Sequence, residues 1–289
     1  MLPPLETIKK SIACAEKERA MTDRFKICLI AVCICILLPV PSCLAVTTFE
    51  IYEASTLNQV IKRNRLIVGM EVEFFPFEYA DTDGQPIGFD VDLAKIAARE
   101  LGVRLEIKDM EFSGLIPALQ QGKIDMIICG MSRTPERAKT VAFTQPYFEA
   151  GLCALISNKR APEVSEIAQL NAEGRILAVK LGTTGDIVMP RLFPKAEVKR
   201  FKEETACVME VVSGRADAFI YDQLSIGRHH AQNPETTHAI LKPFTYEPYA
   251  IAIKRGDFDF LNWLNIFLET IKADGRYQEL RKKYFNDLQ

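Results

Sequence analysis

The sequence predicts an α/β protein of two similar lobes, each a doubly wound βαβ sheet, joined by two crossing segments that form a hinge. Three observations carry that expectation. Strand-like and helix-like segments alternate over residues 66–128, as parallel βαβ units do. The same order returns over residues 176–222. The closing junctions also match in type: "GKIDMII" (122–128) and "GRADAFI" (214–220) each run glycine, base, spacer, aspartate, spacer and apolar end.

Each element has a local reason. After the strand "LIVGM" (66–70), a helix from Asp90 to Leu101 sets Leu93, Ile96, Ala97 and Leu101 on one face, with Asp90 as its N-terminal cap and Gly102 at its end. "RLEIK" (104–108), a helix through "GLIPALQQG" and the strand "IDMIICG" complete the first half. In the second half the order is "ILAVKLG" (176–182), a short helix after Gly185, "EVKRF" (197–201), a helix from Glu203 to Val212, and "ADAFIYD". Pro190 should shorten or bend the first of these helices, because proline lacks a backbone donor. "YFEAGLCALI" (147–156) leads out and "FTYEPYAIAI" (244–253) leads back to terminal helices carrying Trp263, Leu264 and Phe267. The domains expected are an N-terminal extension and signal peptide (1–45), the first part of lobe 1 (46–148), lobe 2 (149–246) and the return to lobe 1 (247–289).

With 36 basic and 38 acidic side chains and a net charge of -2, the chain has no electrostatic footprint for nucleic acid. Arg24 and Lys26 precede fourteen uncharged, mostly apolar residues (27–40) and then "PSCLAV", the layout of a secretory signal. That run falls short of the roughly 20 residues a membrane-spanning helix needs. Met21 is a candidate start, Val46 the first residue expected after cleavage, and lipidation at Cys43 a weaker alternative. Of eight cysteines, only Cys129, Cys153 and Cys207 follow Val46, an odd number that cannot all pair internally. No Cys/His spacing suits a metal, and His229, His230 and His238 are expected on a solvated helix end and loop.

Ligands of α/β lobes sit beyond the carboxyl ends of the strands, so the crevice between lobes is the expected site. "CGMSRTPER" (129–137) occupies one such end, with Gly130, Met131 and Ser132 followed by Thr134 as cap and Pro135 at the first helical position. Arg137 in that first turn can meet a carboxylate with two parallel hydrogen bonds, or be a surface partner of Glu136. "LGTTGD" (181–186) is the corresponding end of lobe 2, where Thr183 and Thr184 offer hydroxyls and N–H donors, or ordinary turn chemistry. Asp222 ends "AFIYD" and can hold an ammonium or cap the next helix. Phe74 and Phe112 can flank a side chain or pack in the core. Glu71 can face a cationic or amide side chain, or solvent. An anion site and a cation site on opposite walls describe the two charged groups of an amino acid.

These residues resemble the extracellular solute-binding proteins of the polar amino acid family, which feed ATP-driven importers. The resemblance rests on "GFDVDLAKIAAREL" (88–101), "GMSRTPER", "GTT", "GRADAFIYD" and "ADGRYQELRKKYF", in the family's order from about residue 60 onward. It implies the two-lobed periplasmic-binding-protein fold of type II. It implies further that Arg137 and Thr184 hold an α-carboxylate, Asp222 an α-amino group, and Gly130 and Ser132 further contacts, with Phe74, Phe112 and Glu71 around the side chain. The expected protein is an exported periplasmic monomer with no cofactor or catalytic residue, which presents a free polar or cationic amino acid to a permease with its ATPase. Cyclohexadienyl dehydratases on the same fold are the alternative. Their acidic group is expected three residues after the strand-end aspartate, where this chain has Ser225.

Overall fold

The computed structural model describes residues 52–285, together with Lys17, Arg19, Met21 and Thr22; the expected signal segment and Cys43 lie outside the described residues. Helix α1 (Thr56–Arg63) stops at Asn64, in the left-handed region at φ 53°, and hands the chain to β1 (Arg65–Met70). Every residue of β1 after the first is buried, as an interior parallel strand requires. A small antiparallel ribbon follows, made of β2 (Glu73–Phe74), β3 (Glu78–Ala80) and β4 (Pro86–Ile87). Helix α2 (Phe89–Glu100), β5 (Arg104–Asp109), α3 (Phe112–Gln120) and β6 (Met126–Ile127) then build two crossovers, so that β5 and β6 flank β1 and run parallel to it. A single helical turn, α4 (Pro135–Ala138), precedes β7 (Val141–Phe143).

The chain leaves through β8 (Phe148–Ala150) and β9 (Leu152–Ser157), and the pattern repeats. Strand β10 (Ile176–Lys180), α5 (Thr184–Leu192), β11 (Glu197–Phe201), α6 (Glu204–Val212) and β12 (Ala218–Asp222) place β11 and β12 parallel to β10 on either side. Helix α5 ends two residues after Pro190. Helix α7 (Gln223–Gln232) and β13 (Thr237–Ile240) finish this half, and β14 (Glu247–Tyr249), β15 (Ala252–Lys254), α8 (Phe258–Ala273) and α9 (Arg276–Phe285) return to the first. The two five-stranded sheets have the orders β5-β1-β6-β15-β7 and β11-β10-β12-β9-β13. Each is a parallel trio extended by antiparallel strands, with β15 against β6 and β9 against β12. Between the sheets, β8 and β14 pair as a two-stranded antiparallel ribbon.

The matching junctions have a common physical cause. Asp125 accepts the N–H of Ile67 at 2.7 Å and pairs with the Arg63 guanidinium, while its own N–H reaches the Ile67 carbonyl at 2.8 Å. Asp217 does the same in the second half: it accepts the Ile176 N–H at 2.8 Å, Arg160 at 2.7 Å and Arg175 at 2.8 Å, and donates its own N–H to the Ile176 carbonyl. Each aspartate thus clamps the first part of the middle strand of its parallel trio. Burial alone would raise the pKa of Asp217, but its two arginines and the Ile176 N–H hold it below the ordinary carboxylate value.

Two local expectations are corrected by tertiary packing. Gly88, not Asp90, precedes α2, and no side chain caps that end; Asp90 is fully buried and turned to other partners. His229 is buried rather than solvated, with Nε2 2.5 Å from Glu204 Oε1, and His238 lies 2.6 Å from both Asn158 Oδ1 and the Val164 carbonyl. Cys129, Cys153 and Cys207 are buried and free.

Replacing Asp217 by alanine strands two arginines and a strand N–H, and is expected to cost about 3 kcal/mol in urea unfolding at pH 7. Because its pKa is depressed in the folded state, its contribution is present above roughly pH 4 and fades as the pH falls through the folded-state value. The gap between wild type and Asp217→Ala should narrow accordingly in acid.

Candidate functional site

The carboxyl ends of β1, β6, β10 and β12 converge on one cavity. Glu71, Phe74, Phe112, Gly130, Ser132, Arg137, Thr183, Thr184 and Asp222, expected from the sequence, all line it. Met131 does not: it packs in the core with Leu115, Ile127 and Cys129, because the turn that opens Gly130 to the cavity sends the next side chain inward.

Arg137 is 5 % exposed, on a turn capped by Thr134, whose hydroxyl accepts the Arg137 N–H. Its guanidinium donates to the Ser132 carbonyl at 2.9 Å and, across the cavity, to the Gly182 carbonyl at 2.9 Å, and lies 5.4 Å from the Phe112 ring centre. Guanidinium has five donors, so donors remain for a ligand. Burial pulls its pKa down to about 10, with the Glu247 carboxylate acting in the opposite sense. Facing it, Thr183 and Thr184 open helix α5, whose first-turn N–H groups have no intrahelical acceptor. Gly182, at φ 78°, gives the close backbone approach that places its carbonyl against Arg137.

Asp222 performs the capping role foreseen for it. Its Oδ1 accepts the N–H groups of Leu224 and Ser225 at 2.9 and 3.1 Å and caps α7, while Oδ2 is buried with no partner. Burial, reinforced by the Glu204 carboxylate, raises its pKa to about 7. Glu247 contributes a second orphaned oxygen, Oε2, to the same cavity.

Glu71 lines the cavity with its carboxylate already partnered. Its Oε2 lies 2.5 Å from Nζ of Lys180, a side chain 1 % exposed at the end of β10, and its Oε1 accepts the Phe112 N–H at 3.1 Å. Burial works against the Lys180 charge, but Glu71 more than offsets it and holds the lysine pKa above its ordinary value. Sequence reasoning missed Lys180, although a lysine ending the apolar run "ILAVK" was its signal. It missed Glu78, Glu247, Tyr221 and Tyr249 as well. Tyr221 meets Phe74 edge to face across the cavity, with ring centres 5.8 Å apart. Ser225 donates its hydroxyl to buried Glu204 and is not among the lining residues. Among the described residues, no cluster of three or more His, Cys, Asp or Glu side chains is placed to hold a metal ion, and no helix is long and apolar enough to cross a membrane.

Residues 66–287 match the family described as bacterial extracellular solute-binding proteins, family 3. The chain is 31% identical over 236 residues to the ABC transporter glutamine-binding protein of Bacillus subtilis, covering 80% of this chain and 85% of the relative. Among solved structures, an ancestral amino acid-binding protein described as a precursor of cyclohexadienyl dehydratase superposes with a TM-score of 0.73 at 40% identity. The match covers 80% of this chain and 100% of that one. The arginine-bound form of a truncated binding protein from T. maritima gives 0.69 at 39% identity, over 74% and 99%.

Gly130 sits at φ 48°, and a Cβ there would come within 2.4 Å of the Phe74 ring. Gly130→Ala is therefore expected to lower stability in urea by about 2–4 kcal/mol, the sum of left-handed strain and overpacking, and to drive Phe74 into the cavity.

Proposed function

The chain belongs to family 3 of the bacterial extracellular solute-binding proteins, and we propose that it captures a free polar or cationic L-amino acid between its lobes for delivery to a membrane permease with its ATPase. The observation that carries this reading is the pairing of opposite charges on one cavity. Arg137 and the first-turn amides of α5 suit an α-carboxylate, and the unpartnered Asp222 Oδ2 suits an α-ammonium. Residues 46–148 with 247–289 form one lobe and 149–246 the other, and the β8–β14 ribbon is the hinge. Export to the periplasm through the N-terminal signal segment, and action as a monomer, belong to the same reading.

Binding requires no bond chemistry. The ligand contributes contacts to both lobes that exist only when they meet, and so shifts the population toward the closed form. Its ammonium takes the place of the proton that Asp222 otherwise holds below about pH 7. Glu71 borders the space for the ligand side chain and, held by Lys180 from behind, keeps acceptor capacity that a carboxamide N–H can use. A side-chain cation must instead compete with Lys180 for Glu71. The dehydratase alternative lacks an acid at Ser225, and Glu204 beside it is already committed to Ser225 and His229.

Thermal unfolding of the chain from Val46 onward, against each common amino acid with prephenate and arogenate in the same panel, should show a raised midpoint with one or a few amino acids. A shift confined to prephenate or arogenate would reverse the reading. Arg137→Ala leaves a buried carboxylate unpaired, at a cost of roughly 3–5 kcal/mol, or about two to four orders of magnitude in affinity by calorimetry. Lys180→Met frees Glu71, and should move selectivity toward cationic over neutral amino acids by about tenfold or more, the value of one charge-assisted hydrogen bond.

A further inference from the structure

Behind Gly130 lies a cluster of acids that the binding of a zwitterion does not use. Glu78, on β3, is 0 % exposed, lines the cavity, and has no hydrogen-bond partner for either carboxyl oxygen. Asp90, also 0 % exposed, accepts the Gly130 N–H at 2.8 Å and the Tyr147 hydroxyl at 2.7 Å on Oδ2, and leaves Oδ1 unpartnered. The groups that weigh on Glu78 include Asp90, Cys129, Glu71, Tyr147 and Tyr249, and the cation lining the same cavity, Arg137, is turned to the Ser132 and Gly182 carbonyls. Those facing Asp90 include Glu78, Tyr147, Tyr249 and Tyr277. Lys180 is held by Glu71. Two carboxylates side by side in this setting cannot both be ionised without a counter-ion.

We propose that Glu78 and Asp90 form a carboxyl–carboxylate pair carrying one proton, and that this shared proton positions the ligand-facing Gly130 turn. The arrangement divides the labour. Ionised Asp90 grips the Gly130 N–H, which sets the turn leading to Ser132, and the Tyr147 hydroxyl at the start of the outgoing crossing segment. Protonated Glu78 is neutral and can donate to the free Asp90 Oδ1. Burial drives both carboxyls in the same direction, Glu78 well above its ordinary value with Asp90 adding to the effect, and Asp90 to about 6, the sense that a retained proton requires. The neighbouring Cys129 thiol and the Tyr147 and Tyr249 hydroxyls are also pushed up by burial and keep their protons. When the pair loses its proton as pH rises, the two charges repel, Glu78 being fixed in the ribbon beside Phe74. The Gly130 turn then moves and affinity falls. Glu78 is thus a positioning residue.

The inference rests on the amino acid reading only for its affinity arm. In ligand-free protein labelled with carboxyl ¹³C at glutamate and aspartate, one glutamate signal should remain at the protonated position at pH 7 and vanish in Glu78→Gln. In Asp90→Asn that signal should ionise at lower pH, because the neighbouring charge is gone. By calorimetry with the amino acid that gives the largest thermal shift, the affinities of wild type and Glu78→Gln are followed as a ratio from pH 7 upward. Wild type should then weaken relative to Glu78→Gln by at least about fivefold across the pH range in which the Glu78 signal ionises. The comparison between variants cancels deprotonation of the ligand's own ammonium. A Glu78 carboxyl already ionised at pH 7, or insensitive to Asp90→Asn, overturns the pair. A constant affinity ratio through its ionisation overturns the positioning role. Absence of binding by any amino acid would defeat the functional reading instead, and leave the spectra to judge the pair.

Discussion

Closing two lobes over a crevice buries charge, and a charge taken out of water must find a partner or give up its proton. That constraint organises the cleft. Arg137 meets it by donating to a carbonyl of each lobe, Ser132 and Gly182. Lys180 and Glu71, one from each lobe, meet it by pairing with each other. Asp222 meets it on one oxygen through two backbone N–H groups of α7 and leaves the other oxygen open. Glu78 has no ion-pair partner among the described residues, and burial drives its pKa well above the ordinary value.

The incomplete solutions are the informative ones. A cleft whose charges were all satisfied internally would close without a ligand and gain nothing from binding one. Here the donors left over on Arg137 and the open oxygen of Asp222 lie where two ends of a small zwitterion can complete them. The binding free energy therefore arises as the lobes meet, which is what couples occupancy to closure. Lobe-crossing contacts outside the cavity, such as Lys202 to Glu111 at 2.9 Å, are solvent-exposed and contribute little by comparison.

Local chemistry was legible in the sequence wherever the residue's partner is also local. Thr134 caps the turn that carries Arg137, Thr183 and Thr184 open α5 after a glycine, and Asp222 caps α7, each within a few residues of the feature that reveals it. Alternation and the echoed junctions disclosed the two parallel trios, because period and glycine caps are short-range signals. What stayed hidden depends on partners far along the chain. Lys180 answers Glu71 109 residues away, and Asp90 answers Gly130 and Tyr147. The general preference of aspartate for helix starts and of histidine for polar surface lost, at Asp90 and His229, to buried partners that no window of local sequence contains.

The same echo explains why the site is polar in the sense of having two ends. Strands β6 and β12 are equivalent, and each is followed by a turn into a helix at the cleft. After β6 the turn runs through Gly130 and Ser132 to a basic residue, Arg137; after β12 it begins on an acid, Asp222. Two lobes with identical chemistry at these ends would present like charges to each other and resist closure. The topologically matched ends carry groups of opposite charge type, and the backbone already occupies part of each: carbonyls on Arg137, N–H donors on Asp222. Neither is left free to satisfy the other completely. Under the proposed reading, a molecule carrying its own carboxylate and ammonium a few ångströms apart resolves both shortfalls at once, and the repeat itself is what sets the two ends apart.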